Sequence, residues 1–87
     1  MDYNELKRHV LAVLAKGHGM DSTFLSRELK SNGLEVDIHA LRMALMRYYK
    51  QGLLKRVRSG GQYSYALTDR GVRRLEWLSV QAKTASS

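Results

Sequence analysis

Between Ile38 and Thr68 the chain carries Arg42, Arg47, Lys50, Lys55, Arg56 and Arg58 and not one Asp or Glu. The same stretch changes its apolar spacing midway. Up to Lys50 the apolar residues recur at helical intervals, whereas Tyr63, Tyr65 and Leu67 alternate as they do on a strand. A helix followed by a hairpin, both basic, is therefore the unit around which the rest is arranged. Residues 1–36 hold five basic and five acidic side chains and cancel; residues 37–87 hold ten basic and three acidic and so carry the whole net charge of +7. A basic stripe over a helix and a hairpin is the electrostatic footprint of nucleic-acid binding, and a solvated, solubilising surface is the alternative.

At 87 residues the chain has the length of one domain with one small core, read as a domain over 1–81 and a disordered tail over 82–87. With no cysteine, disulfides and thiolate zinc ligands are unavailable, and His9, His18 and His39 share no metal-ligand spacing. No cofactor or metal is expected. The start, Met1-Asp2-Tyr3-Asn4-Glu5, does not read as a secretion signal, and no apolar run has the length of a membrane span. A soluble cytoplasmic protein follows, with no membrane partner and no evident small-molecule ligand. No paired acid and base stands at credible spacing, so the chain is read as a non-enzyme.

In chain order, Leu6, Val10, Val13 and Leu14 predict an amphipathic helix over about 3–16, stopped by Gly17, His18 and Gly19. Leu11 lies off that face, either padding the core edge or touching a second subunit. A second helix starts at Asp21 or Ser22, buries Leu25 and Leu29, and ends at Ser31-Asn32-Gly33. Leu34, Glu35 and Val36 read as a short extended link, with pairing to the later hairpin as a short first strand left open. A third helix follows the cap residue Asp37 and runs to Lys50. At about 100° per residue, Ile38, Leu41, Ala44, Leu45 and Tyr48 form its core face, and His39, Arg42, Met43, Met46 and Lys50 the opposite one, with Arg47 and Tyr49 on the flanks.

Two strands, 53–58 and 62–67, then meet at Ser59-Gly60-Gly61. A two-residue Gly60-Gly61 turn puts Arg56 and Arg58 on the face of Tyr63 and Tyr65. A three-residue loop puts Val57 there instead, and is preferred because it keeps the apolar set together. A fourth helix, from about 70 to 81 and capped by Thr68 or Asp69, turns Val72, Leu75 and Leu78 toward the core, with Trp77 and Val80 to one side.

Helix, helix, helix, hairpin, helix resembles a winged helix-turn-helix: α+β, mostly helical, with three helices, a β-hairpin wing and a C-terminal helix. Tyr48-Tyr49-Lys50-Gln51-Gly52-Leu53-Leu54 is similar to the family's passage from third helix to wing. Tyr65-Ala66-Leu67-Thr68-Asp69-Arg70-Gly71 resembles the Y-x-L-T-x-x-G segment of MarR-like and PadR-like prokaryotic or archaeal transcription regulators. Tyr48 and Tyr49 depart from the Leu and charged residue more usual there, and Met43 and Met46 from polar residues.

The resemblance implies that helix 38–50 enters the major groove of double-stranded DNA and that the wing, 55–63, meets the backbone or a minor groove. Arg42 and Arg47 have the reach for base edges, Met43 and Met46 suit thymine methyl groups, and His39 lies in the first turn. Lys50, Lys55, Arg56 and Arg58 suit phosphates, while Gly60, Gly61 and Gln62 bring the wing tip close to the duplex. Each has a plainer reading: exposed cations as solvated positions, Met43 and Met46 as a protein contact, Tyr63 and Tyr65 as hairpin packing. The resemblance further implies a homodimer at the nucleoid; the fourth helix, with Val72, Leu75, Trp77, Leu78 and Val80, has more apolar residues than a lone capping helix needs, and part of it, with or without the first helix, is the candidate contact. A winged-helix protein-interaction module and an architectural DNA binder without sequence preference are the competing functions.

Overall fold

The computed structural model describes residues 3–17 and 19–86, with the side chains of 83–86 left aside. The elements are α1 (Tyr3–Leu14), α2 (Ser22–Ser31), α3 (Ile38–Lys50), β1 (Leu54–Ser59), β2 (Gln62–Leu67) and α4 (Asp69–Ser86). The expected architecture is the observed one.

Local chemistry sets the helix boundaries. The Asp21 carboxylate accepts from the Phe24 N–H at 2.8 Å, and that of Asp37 from the Ala40 N–H at 3.1 Å, so each occupies a donor that the first turn leaves unpaired. Both α2 and α3 end in the same way. Gly33 (φ 83°) and Gly52 (φ 78°) take the left-handed conformation. The next N–H then folds back, Leu34 to the Leu29 carbonyl at 2.8 Å and Leu53 to the Tyr48 carbonyl at 3.0 Å. In α1, which stops at Leu14 rather than Lys16, Gly17 follows a looser last turn; His18 lies outside the described residues.

Val10, Leu11, Val13 and Leu14 of α1 meet Leu25 and Leu29 of α2, Leu41, Ala44, Leu45 and Tyr48 of α3, Leu53 and Leu54, Tyr65 of β2 and Leu78 of α4 in one core. Leu11 is fully buried there, which removes it from any contact with a second subunit. Four buried residues in five along α1 make a wide buried stripe because α4 packs beside it as well as α2.

Two readings fail at the hairpin. Leu34–Val36 forms no strand; Leu34 and Val36 pack half-buried against the core, and Met20 takes the place beside β2. Its N–H and carbonyl exchange bonds with Tyr65, both at 2.9 Å. The hairpin itself turns through Gly60 and Gly61 alone, with φ of 57° and 81°. Two consecutive positive φ angles make the tight two-residue turn whose twist matches that of the strands. Arg56 therefore faces Tyr65 and Arg58 faces Tyr63, while Val57 pairs with Ser64 and is 67% exposed. The preferred three-residue loop is wrong because arginine is not simply polar: its flat guanidinium lies against aromatic faces as an apolar side chain does.

Helix α4 begins one residue early and continues past Gln81 to Ser86, since Ala82, Thr84 and Ala85 offer no glycine or proline to stop it. Its first turn is fixed to the end of α3. The Thr68 hydroxyl donates to the Gly52 carbonyl at 2.6 Å and accepts from the Gly71 N–H at 3.1 Å. Gly71 is buried so tightly that a Cβ there would run into the Leu53 carbonyl oxygen. The Thr and the last Gly of the Y-x-L-T-x-x-G segment are thus a cap and a close backbone approach.

Candidate nucleic-acid interface

Burial of Leu41, Ala44, Leu45 and Tyr48 turns the opposite face of α3 to solvent. His39, Met43, Met46 and Lys50 stand there, all exposed, with Met43 at 57% and Met46 at 42%. The flanks differ. Arg42 leans toward α2, where its Nε donates to the Ser22 hydroxyl at 3.2 Å. Arg47 leans the other way and sits 5.3 Å over the ring of Tyr3 on α1. The two arginines grouped by sequence as base readers therefore occupy different edges of the helix.

The register sends Arg56 toward α3. Its guanidinium lies 4.0 Å from the ring centre of Tyr49, at the end of α3, and 4.2 Å from that of Tyr63 on β2. Arg58 is 5.8 Å from the same Tyr63 ring and exposed. Tyr63 in turn sits 6.3 Å from Tyr65, tilted by 54°, and Tyr65 belongs to the core. Lys55 is exposed on the other face of the hairpin, opposite Ala66.

Between α3 and the hairpin runs a groove of about 330 Å³, lined by Ser22, Arg42, Met46, Arg56, Gly61, Gln62, Tyr63 and Tyr65. It brings together Arg42, Met46, Arg56, Gly61 and Gln62 of the sequence-derived set. His39, Met43 and Lys50 lie outside it on the outward face of α3, Arg47 on the α1 flank, and Gly60 at the turn. Ser22, Tyr49 and Tyr63 were missed as site residues. Ser22 is adjacent to the cap Asp21, and Tyr49 sits one helical turn beyond Met46 and Leu45, but nothing in either spacing signals a hydroxyl or a ring held out for an arginine.

Behind the α1 edge, Lys7 donates to the Gln51 side-chain carbonyl at 3.2 Å and lies 5.3 Å over the ring of Tyr48. Burial pushes the Lys7 pKa down, and the nearby Arg74 and Arg47 charges push it the same way. Burial also raises the Tyr48 hydroxyl to about 12, against a smaller opposing effect of Arg47. That hydroxyl is buried without a hydrogen-bond partner among the described residues.

On α4, Leu78 is only 4% exposed and belongs to the core, while Leu75 packs half-buried against it. Val72, Trp77 and Val80 are exposed at 42%, 51% and 60%. Val72 was expected to face the core, but the close approach of Gly71 to Leu53 rotates it outward. Among the described residues no group of three or more His, Asp or Glu side chains is placed to hold a metal, and no helix is long and apolar enough to cross a membrane.

Residues 29–71, from the end of α2 to Gly71, match the family model described as PaaX-like protein. No curated protein matches the chain. Among solved structures it is similar to a PadR family transcriptional regulator from Eggerthella lenta, with 26% identity over 94% of this chain and 80% of that one and a TM-score of 0.75. It is also similar to the PcaV transcriptional regulator from Streptomyces coelicolor, solved with its natural ligand, with 27% identity over 90% of this chain and 54% of that one and a TM-score of 0.76. SSV1 F-93 shares the fold over 99% of this chain and 92% of its own length, with 19% identity and a TM-score of 0.72.

Proposed function

We propose that this chain, a member of the winged helix-turn-helix superfamily, is a transcription regulator, not an enzyme, that reads double-stranded DNA with α3 in the major groove and the β1–β2 hairpin on the backbone or minor groove. One observation carries the reading: the acid-free stretch 38–68 folds so that the exposed face of α3 and the basic hairpin border a common groove. A helix fits the major groove, and cations beside it neutralise phosphates and release their counterions. Arg42 and Met46 in the groove, with His39 and Met43 on the outward face, are the base-reading set. Lys50, Lys55 and Arg58 are the phosphate set, which positions the protein without reading sequence.

Two copies pair through α4, whose side chains Val72, Trp77 and Val80 stay exposed in the single chain, and act in the cytoplasm at the nucleoid. Two-fold pairing then implies two half-sites about one helical turn apart. The exposure of Met43 and Met46 favours a second reading, a protein-contact surface on α3.

Fluorescence anisotropy on random duplex DNA across a salt series separates the readings. The wild type should bind at low salt and weaken steeply as salt rises, and Arg42→Ala/Lys50→Ala should bind less tightly with a shallower slope. Absence of low-salt binding, or a double variant indistinguishable from wild type, overturns the DNA reading in favour of the methionine contact. Selection from a random library then distinguishes a regulator, which enriches one sequence, from an architectural binder, which enriches none.

A further inference from the structure

Arg56 is one of the hairpin cations that the sequence assigns to phosphate. Its surroundings are not those of a phosphate contact. The side chain is half-buried, and its guanidinium lies 4.0 Å from the ring of Tyr49 and 4.2 Å from the ring of Tyr63. Those rings come from different elements, the last turn of α3 and the first half of β2. Tyr63 continues the series to Tyr65, which is in the core and exchanges backbone bonds with Met20.

We infer that Arg56 is a positioning residue: held between Tyr49 and Tyr63, it locks the hairpin to the end of α3 so that helix and hairpin meet DNA as one rigid unit. The inference rests on the DNA reading above for its consequence and on the free protein for its geometry. A two-stranded ribbon is marginal by itself, so its angle to the rest of the molecule needs an external tie. A planar guanidinium offers two faces to aromatic rings, which the compact, strongly hydrated ammonium of lysine does not. Hairpin and helix then pay their mutual ordering entropy on folding rather than on binding, and preorganisation of this kind tightens a complex without adding a contact to it.

The test has a DNA-free arm and a DNA arm. In NMR spectra of the free protein, the Arg56 Cδ protons should be shifted upfield by the two rings, and Tyr49→Leu and Tyr63→Leu should each move them toward ordinary arginine values. If neither does, the stack does not exist and the inference fails, whatever the protein does with DNA. In anisotropy titrations, Arg56→Lys and Tyr49→Leu should each weaken duplex binding by about two- to thirtyfold while leaving the salt slope at its wild-type value. Lys50→Ala serves as comparator and should lower that slope by about one phosphate's worth. Wild-type affinity in Arg56→Lys, together with a reduced slope in Arg56→Ala, identifies a phosphate contact and overturns the inference. If the wild type binds no duplex, the DNA reading fails, and the spectra alone decide the stack.

Discussion

Arg42 on α3 and Ser22 at the start of α2 are joined by a hydrogen bond of 3.2 Å from the arginine Nε to the serine hydroxyl. Ser22 is 8% exposed, so the bond anchors the Nε edge of an arginine that lines the groove and leaves its terminal nitrogens without a bond to Ser22. An arginine fixed in this way loses less side-chain freedom on meeting a base. Ser22→Ala should therefore weaken binding to a selected site by about two- to tenfold, the equivalent of one hydrogen bond. Because no charge is removed, the salt slope should not change. A slope that falls with the affinity shows that the substitution has disturbed the phosphate contacts instead.

Gly71 and Thr68 carry the junction between the hairpin and α4. Adding a methyl at Gly71 pushes α4 away from the Leu53 carbonyl oxygen, which itself accepts from the Thr68 N–H at 3.1 Å. Gly71→Ala should destabilise the fold by about 1–3 kcal/mol, as overpacking against backbone does. Thr68→Ala, which loses the cap and the bond to Gly52, should cost about 1–2 kcal/mol. Chemical denaturation of both variants measures the two effects, and a Gly71→Ala midpoint equal to wild type contradicts the close packing.

Tyr48 makes stability sensitive to alkali. Its ionisation is raised in the folded protein from 10.0 to about 12. Between those values the folded state holds the proton that the unfolded state has released, so its contribution is complete below pH 10 and is lost as pH rises toward 12. Lys7 acts with the opposite sign below its ordinary 10.5, because there the unfolded chain holds the extra proton. Tyr48→Phe isolates the tyrosine. It should flatten the fall in thermal midpoint above pH 10, and at pH 7 it should be neutral or stabilising, since the hydroxyl it removes has no partner among the described residues.

Pairing through α4 is tested by charge. Val72 and Val80 lie two turns apart along one side of the helix, and Trp77 lies toward Arg70, Arg73 and Arg74, with the Arg74 guanidinium 5.7 Å from its ring. Val72→Asp/Val80→Asp should convert a dimer to a monomer in light-scattering measurements at micromolar concentration while leaving the circular dichroism unchanged. A wild type that is monomeric at the same concentration removes the two-fold model of the DNA site.

The α3 face shows how far sequence reading reaches. The spacing of Leu41, Ala44, Leu45 and Tyr48 assigns them to the core, and all are buried. The caps Asp21 and Asp37 and the stop at Gly52 are legible because each acts on neighbours within a turn. The hairpin strands were legible too, but their register was not. Choosing it by apolar sorting assumed that Arg56 and Arg58 avoid tyrosines, whereas the rings of Tyr49 and Tyr63 make a place for a guanidinium. Likewise Leu11 and Val72 changed sides. The first is covered by elements distant in sequence, and the second is turned out by the closeness of Gly71 to Leu53.

What the sequence alone determined is whatever depends on neighbours along the chain: the three-helix, hairpin and helix order, the caps and turns, and the concentration of positive charge in residues 37–87. Only the tertiary structure decided which cations stand free and which are engaged. Arg42 is tied to Ser22 across α2, Arg47 to Tyr3 across α1, and Arg56 to two rings across the hairpin. Coulomb's law counts such charges alike from the sequence. The packing of one element against another fixes where each guanidinium points, because a planar cation gains most where a hydroxyl or an aromatic face from elsewhere in the chain is brought to meet it.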